Sequence, residues 1–205
     1  MDRENSYEAK NKTKKKSRMP VIFSGHGSPM IALEDNEMTK ILRKVGQDVI
    51  EEYGKPKAIL AISAHWFTEG SLLQSAPKPR QVYDMYGFPK ELYEVKYSVS
   101  EEVKKLLGDS VSINDEWGID HGSWTVLVHM FPNADIPVVQ LSVNRSLSPE
   151  ESYRMGEKLI ALREQGILIF GSGNIVHNLM RVEWDNAGGS EMAVRFNEEI
   201  TKAVL

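Results

Sequence analysis

Histidine is the residue type of this sequence best suited to chemistry, because the chain has five histidines and no cysteine. Without thiolates, a metal ion can be held only by histidine, aspartate or glutamate, and no disulfide framework or cysteine nucleophile is available. Imidazole binds divalent metals and also exchanges protons near neutral pH, since its unperturbed pKa is about 6.5. The histidines therefore indicate a metal centre or acid/base catalysis.

Three of these histidines stand just beyond the best predicted β-strands. His26, His65 and His177 each follow a short, strongly apolar run. The loops at the carboxyl ends of parallel strands share one edge of a sheet, so we expect the three side chains to converge in one crevice. A single histidine in a loop is usually structural, but three at corresponding strand ends predict a common site.

The sequence around each histidine indicates a different use. His26 lies in a tight glycine-rich turn that lets backbone approach a ligand closely. Trp66, which follows His65, would either wall a pocket for a flat substrate or pack in the core. His121 stands just before a helical stretch and is either a helix-start residue or a substrate contact. His129 lies among apolar residues and is interpreted as a buried helix residue without a role.

The elements that must position these residues alternate short β-branched runs with longer helical periods, which predicts an α/β domain. We expect one domain with a central, mostly parallel sheet flanked by helices. Strands are predicted at 21–24, 58–63, 93–98, 138–143 and 167–170, and helices at 36–53, at 148–166 and from 190 to the end. Ser148, Pro149 and Glu151 form a strong helix start, with the serine as N-cap.

Charge and hydropathy divide the chain into a basic, disordered extension at residues 1–18 and one globular domain at residues 19–205. The extension has seven Lys or Arg against three acidic residues, whereas the remainder is acidic, so a nucleic-acid platform is excluded.

No apolar run of about 18 residues and no secretory signal occur, and we expect a cytoplasmic protein without membrane contact. The last helix is still in phase at Leu205, which indicates either truncation at the C-terminus or a native terminal helix docked on the core.

Several common enzyme templates are missing from the sequence. The segment 171–176 resembles only the start of a dinucleotide fingerprint, because Val176 replaces the third glycine. No Walker motif, nucleophile elbow or HExxH helix occurs, which argues against phosphoryl transfer and the common hydrolases. A zinc hydrolase would need an acidic base near the metal, and Asp120 is the only candidate that the sequence offers.

A series of short motifs, in order, resembles the class III extradiol ring-cleavage dioxygenases, which are the LigB-like family, and especially the branch that includes DOPA 4,5-dioxygenase. The likeness runs from about Met19 to Asn197. Its strongest pieces are Gly-His-Gly-Ser-Pro at 25–29, Ser-Ala-His-Trp at 63–66, Tyr-Gly-Phe-Pro at 86–89, Trp-Gly-Ile-Asp-His-Gly-Ser-Trp at 117–124, Gly-Ser-Gly-Asn at 171–174 and His-Asn at 177–178. Motifs in this order are far more specific than any one of them.

The resemblance implies a role for four of the histidines. His26 and His65 would be metal ligands. His177 would be the acid/base histidine beside the metal, and it counts as a further ligand in zinc-loaded members. His121 would lie in the same pocket and contact the catechol or oxygen. The family takes its remaining ligand, a His or Glu, from a segment near the C-terminus, and no position of this sequence matches it.

The resemblance also implies a reaction and a cofactor. The expected activity is an Fe(II)-dependent dioxygenase that opens the ring of a small aromatic diol, such as DOPA or a related phenolic compound, with O2. Zn(II) is the alternative metal. A different expectation for the chain as given is a truncated or degenerate member that binds zinc through its histidines without turnover, because catalytic zinc sites need three protein ligands.

Overall fold

The computed structural model describes residues 18–97, 112–176, 178–183, 186 and 188–204. The chain divides into two compact units, of which the first ends at Asn174 and the second begins at Ile175. Of the predicted basic extension, only Arg18 falls within the described residues. The two units are described separately.

A six-stranded sheet forms the centre of the first unit. Its strands are β1 (Val21–Ser24), β2 (Ala58–Thr68), β3 (Leu72–Gln74), β4 (Ser112–Ile113), β5 (Val138–Asn144) and β6 (Ile167–Ser172). They lie in the order β1-β6-β2-β5-β3-β4, and only the pairing of β3 with β5 is antiparallel. The predicted α/β class with a mostly parallel sheet flanked by helices is therefore confirmed.

The helices of the first unit cover both faces of this sheet. They are α1 (Glu37–Tyr53), α2 (Lys90–Glu94), α3 (His121–Met130), α4 (Pro149–Lys158) and α5 (Ile160–Glu164), and a 3-10 helix spans Pro29–Leu33. Alternate residues of the buried strands supply two cores: Ile59 packs in the cluster that contains α1 and α3 side chains, and Leu60 in the cluster that contains Leu159 and Leu162. Continuous apolar strands are the expected result of burial on both faces.

Helix ends follow the local signals closely. Asn36 caps α1 and forms a capping box with Thr39, and α1 ends at Gly54, whose φ of 92° is easily reached only by glycine. Ser148 and Glu151 form a second capping box at the start of α4, as predicted. The helix predicted to continue to residue 166 is instead two helices, because the backbone of Leu159 separates α4 from α5.

Two other predicted elements differ from the structure. The strand predicted at 93–98 is wrong in its described part, because residues 90–94 form α2 with Leu92 fully buried. Strand β2 extends five residues past its predicted end, with a register shift between Ile62 and Phe67. His65 therefore lies inside the irregular half of β2 and not in a loop beyond it.

The second unit contains a 3-10 helix (Leu179–Arg181) and α6 (Glu191–Val204). Ser190, at the predicted start of this last helix, accepts a hydrogen bond from the backbone N–H of Ala193 at 3.3 Å. Within this unit, Met192 and Phe196 of α6 line an apolar groove of about 450 Å³. In the described parts of both units, no helix has the length and apolarity that crossing a membrane requires.

Candidate metal centre

Three serines lie in register on three neighbouring parallel strands, at the carboxyl ends of β1 and β6 and inside β2. Ser24 of β1 pairs with Ser172 of β6, and Ser172 pairs in turn with Ser63 of β2. His26 and His65 each stand two residues beyond a serine of this row. The sheet therefore brings the two histidines to one edge although they are far apart in the sequence, as the sequence predicted.

Three imidazoles meet at this edge. Nε2 of His26 lies 3.1 Å from Nε2 of His65, and the ring of His121 approaches that of His65 with 4.0 Å between centroids. One nitrogen from each of the three rings lies within 4.8 Å of the others, which is close enough for a common metal ion. His26 and His121 are buried, and His65 is partly exposed, so the cluster opens to solvent on the His65 side.

The Nδ1 atom of each ring lies within 3.2 Å of a side-chain oxygen of a second residue. Nδ1 of His26 lies 3.0 Å from Oγ of Ser172, whose hydroxyl hydrogen bonds the carbonyl oxygen of Gly122. Since that hydroxyl donates to the carbonyl, it accepts from His26, which places the proton of His26 on Nδ1. Metal-ligating histidines commonly donate their second ring nitrogen in this way.

Asp84 contacts the other two rings. Its Oδ1 accepts from Nδ1 of His121 at 2.8 Å and from the backbone N–H of the same residue at 3.1 Å, and its Oδ2 lies 3.2 Å from Nδ1 of His65. Burial raises the pKa of Asp84, but the hydrogen bonds from His121 and His65 outweigh burial and hold that pKa far below its usual range. The ionised carboxylate in turn raises the pKa of His65, against the opposing effect of burial.

This arrangement fits a divalent cation. With a proton on each Nδ1, a neutral imidazole carries its lone pair on Nε2, so the lone pairs of His26 and His65 face each other across 3.1 Å. Two facing lone pairs at this separation are favourable only with a proton or a metal cation between them. Bonds of about 2.0–2.1 Å to a tetrahedral zinc ion would separate two nitrogens by about 3.3 Å, which is close to the observed distance. The donor set therefore suits a metal that prefers imidazole nitrogen.

Helix α3 brings His121 to the cluster because a glycine permits close contact. A Cβ atom on Gly122 would lie 2.7 Å from Oγ of Ser63 and 2.9 Å from Cδ2 of His65. The helix start is fixed by Asp120, whose side chain accepts from the backbone N–H of Ser123 as an N-cap. His121 is thus a helix-start residue and also a member of the histidine cluster, and its contact with a substrate stays a prediction.

Asp120 is not the acidic residue that contacts the histidine rings. Its side chain is fully buried and hydrogen-bonded to Gln140, Ser63 and Trp117. Burial raises its pKa, and the hydrogen bonds from Ser63 and Gln140 only partly oppose this effect. The structure therefore supports a role for Asp120 in holding α3 in place and gives no support to it as the base of a hydrolase.

The remaining candidates from the sequence have separate outcomes. His177 lies outside the described residues, so its assignment as acid/base residue and ligand stays a prediction. His129 is buried in α3, where its Nε2 donates to the carbonyl of Ile31 at 2.7 Å, and its interpretation as a structural residue is confirmed. Trp66 is buried and stacks on Trp117 with ring centroids 6.0 Å apart, which supports core packing over a pocket wall.

Asp84 is the site residue that the sequence analysis missed. It lies in an irregular segment between β3 and α2, where no periodic pattern indicates which way a side chain points. The available signal was an acidic residue between Tyr83 and Met85, directly before the motif at 86–89. A carboxylate with apolar neighbours on both sides has to find a partner when the segment is buried.

The family model described as the catalytic LigB subunit of aromatic ring-opening dioxygenase matches residues 20–205. The chain is 42% identical over 193 residues to the 4,5-DOPA dioxygenase extradiol of Escherichia coli K12, a match that covers 90% of this chain and 70% of the relative. The 4,5-DOPA dioxygenase extradiol of Beta vulgaris is 39% identical over 166 residues, which are 76% of this chain and 62% of the relative.

A solved structure gives the same result at the level of the fold. The crystal structure of an uncharacterized protein of Escherichia coli K12 superimposes with a TM-score of 0.72 at 39% sequence identity. The superposition covers 90% of this chain and 72% of that chain.

Proposed function

Because this chain belongs to the LigB family of extradiol aromatic ring-opening dioxygenases, we propose that it opens the ring of a catechol with O2 at the histidine cluster of its first unit. The observation that carries this proposal is the convergence of His26, His65 and His121, with one ring nitrogen of each within 4.8 Å of the others. Their location at the carboxyl edge of a parallel sheet is where substrates bind in open α/β folds.

The cofactor that we propose is Fe(II), held by His26 and His65 through Nε2. When bound, the metal supplies open coordination positions and charge stabilisation for a catecholate and O2. Ser172 and Asp84 orient the two ligand rings through their Nδ1 atoms. Zn(II) is the alternative occupant, because it prefers the same nitrogen donors.

For the proton transfers we propose the two remaining histidines. His121 faces the same cluster and is oriented by Asp84, so its Nε2 is in place to contact the substrate or oxygen. We propose His177 as the acid/base residue that removes a proton from the catechol and later returns one to the leaving oxygen, on the basis of the family motif at 177–178.

DOPA is the proposed substrate class because the two relatives are named 4,5-DOPA dioxygenase extradiol. A cytoplasmic location stays a prediction.

Oxygen consumption tests the proposed activity directly. The 205-residue chain is loaded with Fe(II) under anaerobic conditions and mixed with DOPA or catechol, and air is then admitted. The expected result is substrate-dependent oxygen uptake together with a yellow ring-opened product. His65→Gln should lose this activity and His129→Gln, which changes a histidine outside the cluster, should keep it. Equal uptake by a metal-free control would contradict the proposal.

A second candidate is a metal-binding protein without turnover. The ligand set favours this candidate. Among the described residues, the one group of three or more side chains that could hold a metal consists of histidines and contains no carboxylate. This candidate predicts that Zn(II) or Co(II) binds to the chain while the Fe(II)-loaded chain consumes no oxygen. The oxygen assay and a metal titration on the same preparation therefore separate the two functions.

The role of His177 has its own test. Replacing it with alanine should abolish oxygen uptake and leave metal retention largely intact if it acts as acid/base. Equal loss of retained metal would instead identify it as a ligand. Metal content after gel filtration, measured beside turnover, distinguishes the two roles.

A further inference from the structure

Asp84 is, among the residues that the structure describes, the carboxylate that contacts two histidines of the cluster at once. We propose that Asp84 is a shared positioning residue, which fixes the tautomers of His65 and His121 together so that both rings present Nε2 to the metal and the substrate. This inference deepens the proposed function, since it names the residue that orients both a metal ligand and a substrate-facing histidine.

The two carboxylate oxygens of Asp84 contact different histidines. Oδ1 serves His121 at 2.8 Å, and Oδ2 serves His65 at 3.2 Å. The Asp84 side chain is 19% exposed and that of His121 is 7% exposed, so water competes weakly for these contacts. A carboxylate is the side chain of this size that offers two acceptor oxygens and no donor, and it therefore imposes an N–H on both Nδ1 atoms.

The backbone beside Asp84 is held from both sides, as a positioning role requires. Before it, Val82 donates its N–H to the carbonyl of Ile119 at 2.8 Å and accepts from the indole N–H of Trp124 at 3.0 Å. After it, the side chain of Met85 is buried in the core. Ile119 and Trp124 flank His121 in the chain, so Asp84 and His121 are held by the same set of contacts. The carboxylate cannot drift from the two rings without disturbing this packing.

Asparagine is the informative replacement. Its amide has one acceptor oxygen and one NH2 donor in place of the two oxygens of Asp84. Whichever way the amide is oriented, one of the two imidazoles then faces the NH2 group and must carry its proton on Nε2. In that tautomer the ring cannot offer the Nε2 lone pair to a metal. The substitution Asp84→Asn therefore predicts a change of tautomer in one ring and not merely a looser site.

The tautomers can be read in the metal-free chain by long-range nitrogen–proton NMR with labelled histidine, at a pH high enough that the histidine nitrogen shifts no longer change and each imidazole is neutral. The signals are assigned by their loss in His65→Gln and His121→Gln. The wild-type chain should show both rings protonated on Nδ1. Asp84→Asn should convert one of them to the Nε2–H form. Asp115→Asn is the matched control, since Asp115 accepts from Ser75 and should leave both rings unchanged.

Metal affinity gives a second measurement on the same proteins. Competition with a chelator for Co(II) should show a loss of about 10- to 100-fold for Asp84→Asn, the usual effect of removing a partner of a ligating histidine. Asp84→Glu keeps two acceptor oxygens and should restore both Nδ1–H signals and part of the affinity. An Nε2–H tautomer on either ring of the wild type would overturn the proposal, and so would unchanged tautomers in the asparagine variant. Neither result depends on oxygen uptake, so failure of the dioxygenase proposal is recognised separately.

Discussion

Replacing Gly122 with alanine tests how closely α3 must approach the metal centre. The added Cβ would lie 2.7 Å from Oγ of Ser63 and 2.9 Å from Cδ2 of His65, and both distances are shorter than ordinary van der Waals contact. Ser63 cannot turn away cheaply, because it is fully buried, hydrogen-bonds Asp120 and accepts from the backbone N–H of His65 at 3.2 Å. The helix start or the imidazole has to move.

The expected cost follows from two opposing effects. Overpacking a buried site costs about 1–3 kcal/mol, whereas replacing glycine by alanine in a helix contributes at most about 1 kcal/mol in the other direction. We expect Gly122→Ala to lower the free energy of unfolding by about 1–2 kcal/mol. Because Cδ2 is bonded to Nε2 in the ring, displacement of His65 should also weaken metal binding, by about 10-fold.

Gly156→Ala is the matched control for this prediction. Gly156 also lies in a helix, but a Cβ there meets nothing within 4 Å. It should therefore raise the free energy of unfolding by about 0.5–1 kcal/mol and leave metal affinity unchanged. Urea unfolding of the metal-free proteins and chelator competition for Co(II) measure the two quantities. If the two variants behave alike in both assays, the close approach of α3 to His65 is not a constraint and the reasoning is refuted.

Three further substitutions separate the metal centre from the scaffold. Ser172→Ala removes the buried hydroxyl that accepts from one ligand ring, so it should weaken Co(II) binding by about 10-fold and also cost about 1–3 kcal/mol of unfolding free energy. Unchanged affinity would show that the hydroxyl does not orient the ring. His129→Ala removes one of the two hydrogen bonds that the carbonyl of Ile31 accepts, the other coming from the backbone N–H of Glu34, and empties a buried position. It should cost about 1–3 kcal/mol of unfolding free energy while metal affinity is kept, and a parallel loss of affinity would tie that residue to the site. Gly46→Ala places a Cβ against the carbonyl oxygen of Met130 and should lower the free energy of unfolding by about 3 kcal/mol or more, so that the protein unfolds already at low urea. A stable variant would show that α1 and α3 can separate.

The parts of the fold that the sequence predicted are those with strong local signals. The buried strands at 21–24, 138–143 and 167–170 are short apolar runs between polar turns, and burial on both faces makes such runs distinctive. The starts of α1 and α4 carry complete capping boxes. In the irregular middle of the chain the aromatic and β-branched residues near Tyr93 favoured a strand, but packing of Leu92 into the core gives a short helix instead.

The site was predictable where it depends on strand ends and was not where it depends on tertiary contacts. His26 and His65 were found because buried strands bring their ends to one edge. The contacts of Asp84 with two imidazoles join residues 19 and 37 positions apart, and no periodic pattern in the sequence indicates them. The same limit applies to Ser172, whose hydroxyl contacts His26 across 146 positions.

The aligned serines of β1, β6 and β2 fix the distance between the two ligand histidines of this centre. His26 and His65 are 39 positions apart, but their separation in space is set because each stands two residues beyond a serine of this aligned row. Residues inserted in the loops around α1 would lengthen that interval without moving either imidazole. One residue inserted between Ser63 and His65 would turn the histidine toward the opposite face of the sheet. Related sequences are therefore best compared by this offset, while the spacing between their histidines is free to vary.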